Sequence, residues 1–280
     1  MSEPLLAIDT PWLLYRSHFA LPRSIRGSGG SAVGALLGTV NTILYLIEWC
    51  APRAVVCCMG AEEAAYRVAL YRPYHAHRDP MPDELREQWG RAPALFEALG
   101  WRVACSDELE ADDVLWSVSR VEAAGGGRTL ICSADRDLYQ TVDAHTACVE
   151  LRGGAATEVD AAGVRERSGV EPAQIPDLIA LRGDPSDGLP GAPGVGAKTA
   201  AALLRDHGTL EGVLAAEGLR PRIAAALAEH AELLRVFRRI ATLQEVAVER
   251  PPDGATDRAR GAAAAAELGM GALAGRLEAR

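Results

Sequence analysis

Short apolar runs of strand length alternate with longer segments of helical period through roughly the first 160 residues of this chain, and several of the runs close on acidic side chains. Leu5-Leu6-Ala7-Ile8 ends at Asp9, and an amphipathic segment with Trp12, Tyr15, Arg16 and Phe19 follows it. A Gly/Ser stretch from Gly27 to Ser31 leads to Val33–Cys50, where apolar residues recur at helical spacing. Ala54–Met59, Trp101–Ala104 and Arg128–Ser133 read as further strands, with weaker ones near 146–151 and 156–159. Asp83–Leu99 and Glu110–Ala124 read as helices between them. Parallel neighbours need long crossovers and antiparallel hairpins do not. The alternation therefore predicts an α/β fold, a mainly parallel central sheet flanked by helices. Acids at the ends of such strands gather along one edge, where open α/β sheets place their sites.

From Asp160 the pattern turns helical, interrupted by the Gly/Pro-rich stretch Gly183–Gly196. We expect an α/β core over 1–159, with an arch-like region at about 60–82, and a helical subdomain with a C-terminal segment over 160–280. The Ala/Gly-rich tail from Gly254 gives a weak periodic signal, and its last residues are expected to be disordered.

Composition limits the function classes. Nothing approaches the roughly 18 consecutive apolar residues of a membrane span, and the first residues lack the basic and apolar segments of a signal peptide, so a cytoplasmic location is expected. The six cysteines show no paired short spacing of a zinc site and read as small buried hydrophobes. A net charge of -9 opposes a simple basic footprint for nucleic acid, unless acids are committed to metals and cations are gathered elsewhere. Lys198 is the only lysine; arginine carries the other basic charge.

The acids fall into four clusters: Asp9; Glu110, Asp112 and Asp113; Asp135 and Asp137; Asp184 and Asp187. Each alone reads as a helix cap or a turn. Together they would oppose folding by mutual repulsion unless hard divalent cations bind them. The six histidines form no compact zinc motif, and an all-oxygen set suits Mg²⁺ or Mn²⁺. Two such ions can orient a hydroxide and stabilise a leaving oxygen in phosphodiester cleavage. Downstream, Gly191-Ala192-Pro193-Gly194-Val195-Gly196-Ala197-Lys198-Thr199-Ala200 offers close backbone approach, a helix start and one lysine for a phosphate. It is not a nucleotide-binding phosphate loop, because Ala197 separates Gly196 from Lys198.

In this order, Leu6-Ala7-Ile8-Asp9, Leu109-Glu110-Ala111-Asp112-Asp113, Ser133-Ala134-Asp135-Arg136-Asp137-Leu138-Tyr139-Gln140, Gly183-Asp184-Pro185-Ser186-Asp187-Gly188-Leu189-Pro190-Gly191 and the Gly194–Ala200 stretch resemble the 5' to 3' exonuclease and flap endonuclease family. That family includes the amino-terminal nuclease domain of bacterial DNA polymerase I, and the resemblance runs from Leu6 to roughly Val248. It implies that Asp9, Glu110 and Asp112 hold one Mg²⁺ or Mn²⁺ and that Asp135, Asp137 and Asp187 hold another, with Asp113 and Asp184 contributing directly or through water. It implies catalytic roles for Asp9, Asp112, Asp135 and Asp187 and for Arg16 at the reacting phosphate. Arg67, Arg72, Tyr74, His75 and Arg78 would form a DNA-steering arch. Gly194, Gly196, Lys198 and Thr199 would grip duplex DNA in a helix-three-turn-helix with a potassium ion. The expected partners are flapped, branched, nicked or gapped DNA and a DNA polymerase, the chain itself being a monomer.

Two positions depart from the family pattern. An Asp usually follows the second strand, in a sequence like Phe-Asp-Ala, where this chain has Met59-Gly60-Ala61, and Glu62 or Glu63 is the nearest substitute. His75 stands where the family tends to carry Lys. The expected activity is a structure-directed 5' nuclease. A DNA-junction binding protein with weak or lost cleavage is the alternative that Gly60 raises, and an RNA-processing metal nuclease is a third class with the same carboxylate chemistry.

Overall fold

The computed structural model describes residues 3–279. Six strands form one sheet: β1 (Leu5–Asp9), β2 (Ala54–Met59), β3 (Arg102–Cys105), β4 (Thr129–Cys132), β5 (Thr146–Arg152) and β6 (Ala155–Val159). Their spatial order is β3-β2-β1-β4-β5-β6, every pair parallel except the β5–β6 hairpin at one edge.

The buried strands divide their side chains by parity, as period-two geometry requires. Leu5 and Ala7 of β1 and Val56 and Cys58 of β2 enter one apolar cluster; Leu6 and Ile8, with Val55 and Cys57, enter the other. The second cluster lies against α1 (Thr10–Ala20), α2 (Gly34–Cys50) and α4 (Asp83–Ala98). A six-residue helix, α3 (Ala65–Leu70), precedes α4. The first cluster is closed by α5 (Ala111–Ala124) and, beyond α6 (Ala161–Ser168), by α7 (Ile175–Arg182), α8 (Ala197–His207), α9 (Leu210–Leu214) and α10 (Pro221–Ala241). Two-sided cover explains why strand runs such as Ala54–Met59 are apolar throughout rather than alternating. Four of the six cysteines are buried as expected, whereas Cys50 is half-buried and Cys105 exposed.

The tail differs from expectation. Through residue 279 it is ordered as α11 (Arg258–Glu267), which packs on α4, and α12 (Gly271–Glu278), which packs on α11, and Ala262, Ala265, Leu273 and Leu277 join the core; the last residue lies outside the described residues. Small residues permit this docking. Gly269 adopts φ 78°, and a Cβ there would meet the Ser28 nitrogen at 2.1 Å, while the Ser28 N–H donates to the Leu268 carbonyl at 3.1 Å. Among the described residues no helix is long and apolar enough to cross a membrane.

Candidate active site

From β1 the chain builds outward through β2 and β3 on one side and through β4 and β5 on the other. The gap beyond the carboxyl ends of β1 and β4 is therefore the switch point of the sheet, where such folds form a crevice. Asp9 ends β1 there and caps α1, accepting from the Trp12 N–H at 3.1 Å. Ser133 follows β4, and its hydroxyl donates to Asp9 Oδ2 at 2.5 Å while accepting from the Asp135 N–H at 3.0 Å. One serine thus fixes acids from two strands. α5 delivers Glu110 and Asp112 to the same place from the far side of β2.

Asp9, Asp112 and Asp135 have no ion-pair partner among the described residues. Burial pushes the Asp9 carboxyl up from 3.8 to about 6; hydrogen bonds from Ser133 and Trp12 oppose the rise and the charge of Asp135 adds to it. Asp112 is raised well above the usual range by burial and then by Asp135, Asp9 and Glu110. Asp135 is open to solvent at the crevice mouth yet crowded by protein on its other sides. That crowding raises it, the Asp137 N–H bonded to its Oδ1 at 2.8 Å opposes, and the charges of Asp187 and Asp184 add to the rise.

The acids on the other side of Asp135 keep internal cations. Asp187 accepts from Arg78 at 2.9 Å and pairs with His75 Nε2 at 3.1 Å; burial would raise its pKa, but these partners hold it below the usual value. Arg182 reaches Asp184 at 3.3 Å and Asp137 at 3.8 Å. Burial, then Asp135, Asp184 and Asp187, still push Asp137 well up. Asp184 also accepts from the Ser186 N–H at 2.9 Å and from its hydroxyl. Among the described residues no three His, Cys, Asp or Glu side chains sit close enough to cage an ion unaided. The donor set is nonetheless all oxygen and deficient in countercharge on the Asp9 side, which is the chemistry a hard divalent cation fits.

Four expectations are corrected. Asp113 is not available to a metal, directly or through water: it is fully buried and bidentate to Arg67 at 2.8 and 2.9 Å, and it also accepts from the Gln244 and Glu110 N–H groups. Arg67 is no DNA-steering group, being 3% exposed, paired with Glu110 at 3.2 Å and donating to the Ile240 carbonyl. Tyr74 is likewise buried and donates to both Glu110 oxygens at 3.0 and 3.1 Å, so it holds a carboxylate rather than an exposed base. His75 is buried, stacked on Tyr74 at 3.8 Å between centroids and turned inward to Asp187, with φ 55°. A non-glycine residue held at positive φ stores strain that surrounding contacts must sustain. The cause of all four is shared: the 60–82 segment folds down onto α5 and the 184–189 loop, so its polar side chains meet protein acids. Arg72 and Arg78 stay exposed.

At the second strand's end, Gly60 is packed against the start of α5. Glu62 pairs with Arg86 at 3.2 Å in solvent, and Glu63 is exposed. Arg16 is exposed, its guanidinium 5.8 Å from the Trp12 ring, with no carboxylate partner among the described residues. Farther out, Gly194 (φ 82°) and Gly196 lead into α8, where Lys198 and Thr199 face a groove also lined in part by Asp206 and Arg220.

The 5'-3' exonuclease N-terminal resolvase-like domain matches residues 4–169, and the 5'-3' exonuclease C-terminal SAM fold matches residues 170–256. The chain belongs to the 5'-3' exonuclease family. It is a nuclease. Its relatives include a 5'-3' exonuclease of Streptomyces coelicolor, 35% identical with 97% of this chain and 98% of that protein covered. DNA polymerase I of Pseudomonas aeruginosa is 38% identical over 73% of this chain, which spans only 22% of the polymerase. A T5 D15 flap endonuclease solved with DNA and metal ions shares the fold at a TM-score of 0.70 and 17% identity, with 98% and 97% of the two chains covered.

Two residues of this nuclease escaped sequence reasoning. Ser133, which joins Asp9 to Asp135, was legible only as a serine two positions before an acid. Arg182, which balances Asp137 and Asp184, sits at the end of α7 directly before the Gly183-Asp184 turn and gave no signal beyond its charge.

Proposed function

We propose that this nuclease is a structure-directed 5' nuclease that hydrolyses DNA phosphodiesters near 5' single-strand junctions, acting as 5' flap endonuclease and 5' to 3' exonuclease with two Mg²⁺ or Mn²⁺ ions. The observation that carries the reading is the meeting of Asp9, Asp112 and Asp135 at the switch point with no basic partner among the described residues. Asp9, Glu110 and Asp112 would hold one ion and Asp135, Asp137 and Asp187 the other, with Asp184 contributing directly or through water. Bound there, such ions activate water near neutral pH and neutralise charge on the phosphate.

The chain's own groups do the positioning. Ser133 keeps Asp9 and Asp135 in register, and Tyr74 with the Ala64 N–H, which donates at 2.8 Å, orients the Glu110 carboxylate. Arg16 stands free to take the reacting phosphate, a role suited to its planar fork. Arg78 can exchange Asp187 for a strand phosphate as a cation enters, and exposed Arg72 adds attraction for a 5' arm. The Gly194–Thr199 turn, with unpaired N–H groups at the start of α8 and the Lys198 charge, would hold duplex phosphate together with a potassium ion. The proposed setting is a cytoplasmic monomer acting on flapped, nicked or gapped DNA with a DNA polymerase as partner, and the polymerase is suggested by the DNA polymerase I relatives.

Purified protein mixed with labelled 5'-flap, nicked and matched RNA substrates, under Mg²⁺ and Mn²⁺ titration, tests this. Metal-dependent cutting of the DNA flap to a 5'-phosphate product is expected, with Asp135→Asn and Asp187→Asn silent. DNA binding without cutting, or equal residual cutting by both variants and the parent, would sink the catalytic claim.

A further inference from the structure

The space that a side chain at position 60 would occupy is filled by backbone. A Cβ built on Gly60 would stand 2.5 Å from the Ala111 nitrogen, 2.5 Å from the Glu110 carbonyl carbon and 2.6 Å from the Leu109 oxygen. None of these is the movable end of a side chain. The approach is fastened on the same segment: the Ala61 N–H donates to the Leu109 carbonyl at 2.9 Å, and the Ala64 N–H donates to Glu110 Oε1 at 2.8 Å. Residues 60–64 therefore clasp the three residues on which α5 begins, and the next residue along is Asp112.

We infer that Gly60 is a positioning residue for the α5 carboxylates: its missing Cβ lets the Leu109–Ala111 backbone move into the place of an absent acid and so seats Glu110 and Asp112 opposite Asp9. This rests on the proposed metal-dependent function. Its consequence runs against the simplest repair of the site. To accept any side chain at 60, contacts of 2.5 Å must widen past 3.0 Å and toward the 3.4 Å of ordinary van der Waals contact, carrying Glu110 and Asp112 away from Asp9. Restoring the family carboxylate by Gly60→Asp adds one oxygen ligand and displaces two. The two nearest acids are directed elsewhere, Glu62 pairing with Arg86 in solvent and Glu63 being exposed.

The test compares intact wild type, Gly60→Ala and Gly60→Asp by calorimetric titration of the metal-free proteins with Mn²⁺, by kcat and KM on a 5'-flap duplex, and by circular dichroism. Displaced ligands predict Mn²⁺ binding weakened about 10- to 100-fold in Gly60→Ala. A shift of about 1 Å predicts kcat lower by about 100-fold with KM for DNA nearly unchanged. Gly60→Asp should do no better than Gly60→Ala. Gly261→Ala is the control for crowding alone, since its Cβ would meet the Leu99 side chain at 2.3 Å, far from the acids; it should melt lower and bind Mn²⁺ as wild type does. Mn²⁺ affinity of Gly60→Ala equal to wild type, or of Gly60→Asp above it, overturns the inference. A wild type that neither binds Mn²⁺ nor cuts removes the functional reading itself, which separates the two failures. Should both variants misfold, an anomalous map of manganese-soaked wild-type crystals decides: an ion held with no ligand from residues 60–63 supports the inference, and Glu62 or Glu63 turned onto the ion overturns it.

Discussion

Asp112 and Asp113 are adjacent residues in the first turn of one helix, and their surroundings are opposite. Asp113 faces Arg67, two backbone N–H groups and no solvent; its charge is answered inside the fold. Asp112 faces Asp9, Glu110 and Asp135 and is pushed well above the usual carboxylate range. The far end of α5 repeats the first arrangement, where fully buried Glu122 is bound by Arg53 and Arg250. A carboxylate with an internal cation serves the structure, whereas one surrounded by its own kind leaves charge to be balanced from outside. One step along the helix turns a side chain by about 100°, enough to move it from knot to crevice.

The largest expected effect lies on the paired side. Arg67→Ala leaves Asp113 buried and uncompensated and should lower unfolding free energy by about 3–5 kcal/mol, read by urea denaturation. A loss below 1 kcal/mol would show that the Arg67 knot is not structural and would blur the contrast. Asp113→Asn should also destabilise, while Asp112→Asn in metal-free protein should stabilise; equal signs for the two would break the comparison outright.

Next come the unpaired acids as proposed ligands. Asp112→Asn and Asp135→Asn should each cut flap cleavage by on the order of 10³-fold, as loss of one preorganised electrostatic group does at the upper end. Their DNA affinity in EDTA should be nearly unchanged, as a filter-binding or anisotropy assay would report.

The pH dependence sharpens the same contrast. Asp9 binds its proton more tightly folded, with a pKa of about 6, than at the ordinary 3.8, so the folded state holds more protons between those values. Stability of the metal-free protein must therefore fall as pH rises from about 4 to about 6, by up to about 3 kcal/mol from this group. Melting curves should move down across that window and flatten in Asp9→Asn. At pH 7, Mn²⁺ at about 100 times its Kd should return about 2.7 kcal/mol per occupied site to wild type, and Asp9→Asn should lose the share of the Asp9 site while keeping that of the other.

The smallest effects on stability and DNA affinity belong to the exposed cations that pair with no carboxylate among the described residues. Arg16→Ala and Lys198→Ala should each reduce the slope of log affinity for DNA against log salt by about 1, with melting temperature unmoved. A slope unchanged in both would remove the proposed phosphate contacts.

Much of the sheet was legible because its cause is local: runs such as Leu5–Ile8 and Ala54–Met59 fit only strands covered on both faces, and long helical segments between them force parallel neighbours. The ending of β1 at Asp9 and the acids after β4 follow from the same reading. The 60–82 segment was less legible. Its Arg and Tyr residues have the composition of a nucleic-acid surface, and composition carries no direction, so Arg67, Tyr74 and His75 were assigned outward when they point inward. The Ala/Gly tail gave a weak signal for a similar reason, since its order depends on backbone approaching Gly27 and Gly269 as well as on a few large apolar side chains such as Leu273 and Leu277.

By itself the sequence determined the layer architecture, the family and the presence of more acids than local caps require, because strand and helix periods and motif order are properties of the chain alone. Tertiary structure decided which of those acids is answered from within. That depends on where Arg67, Arg78 and Arg182 arrive from distant segments, and electrostatic energy follows distance in space rather than separation along the chain.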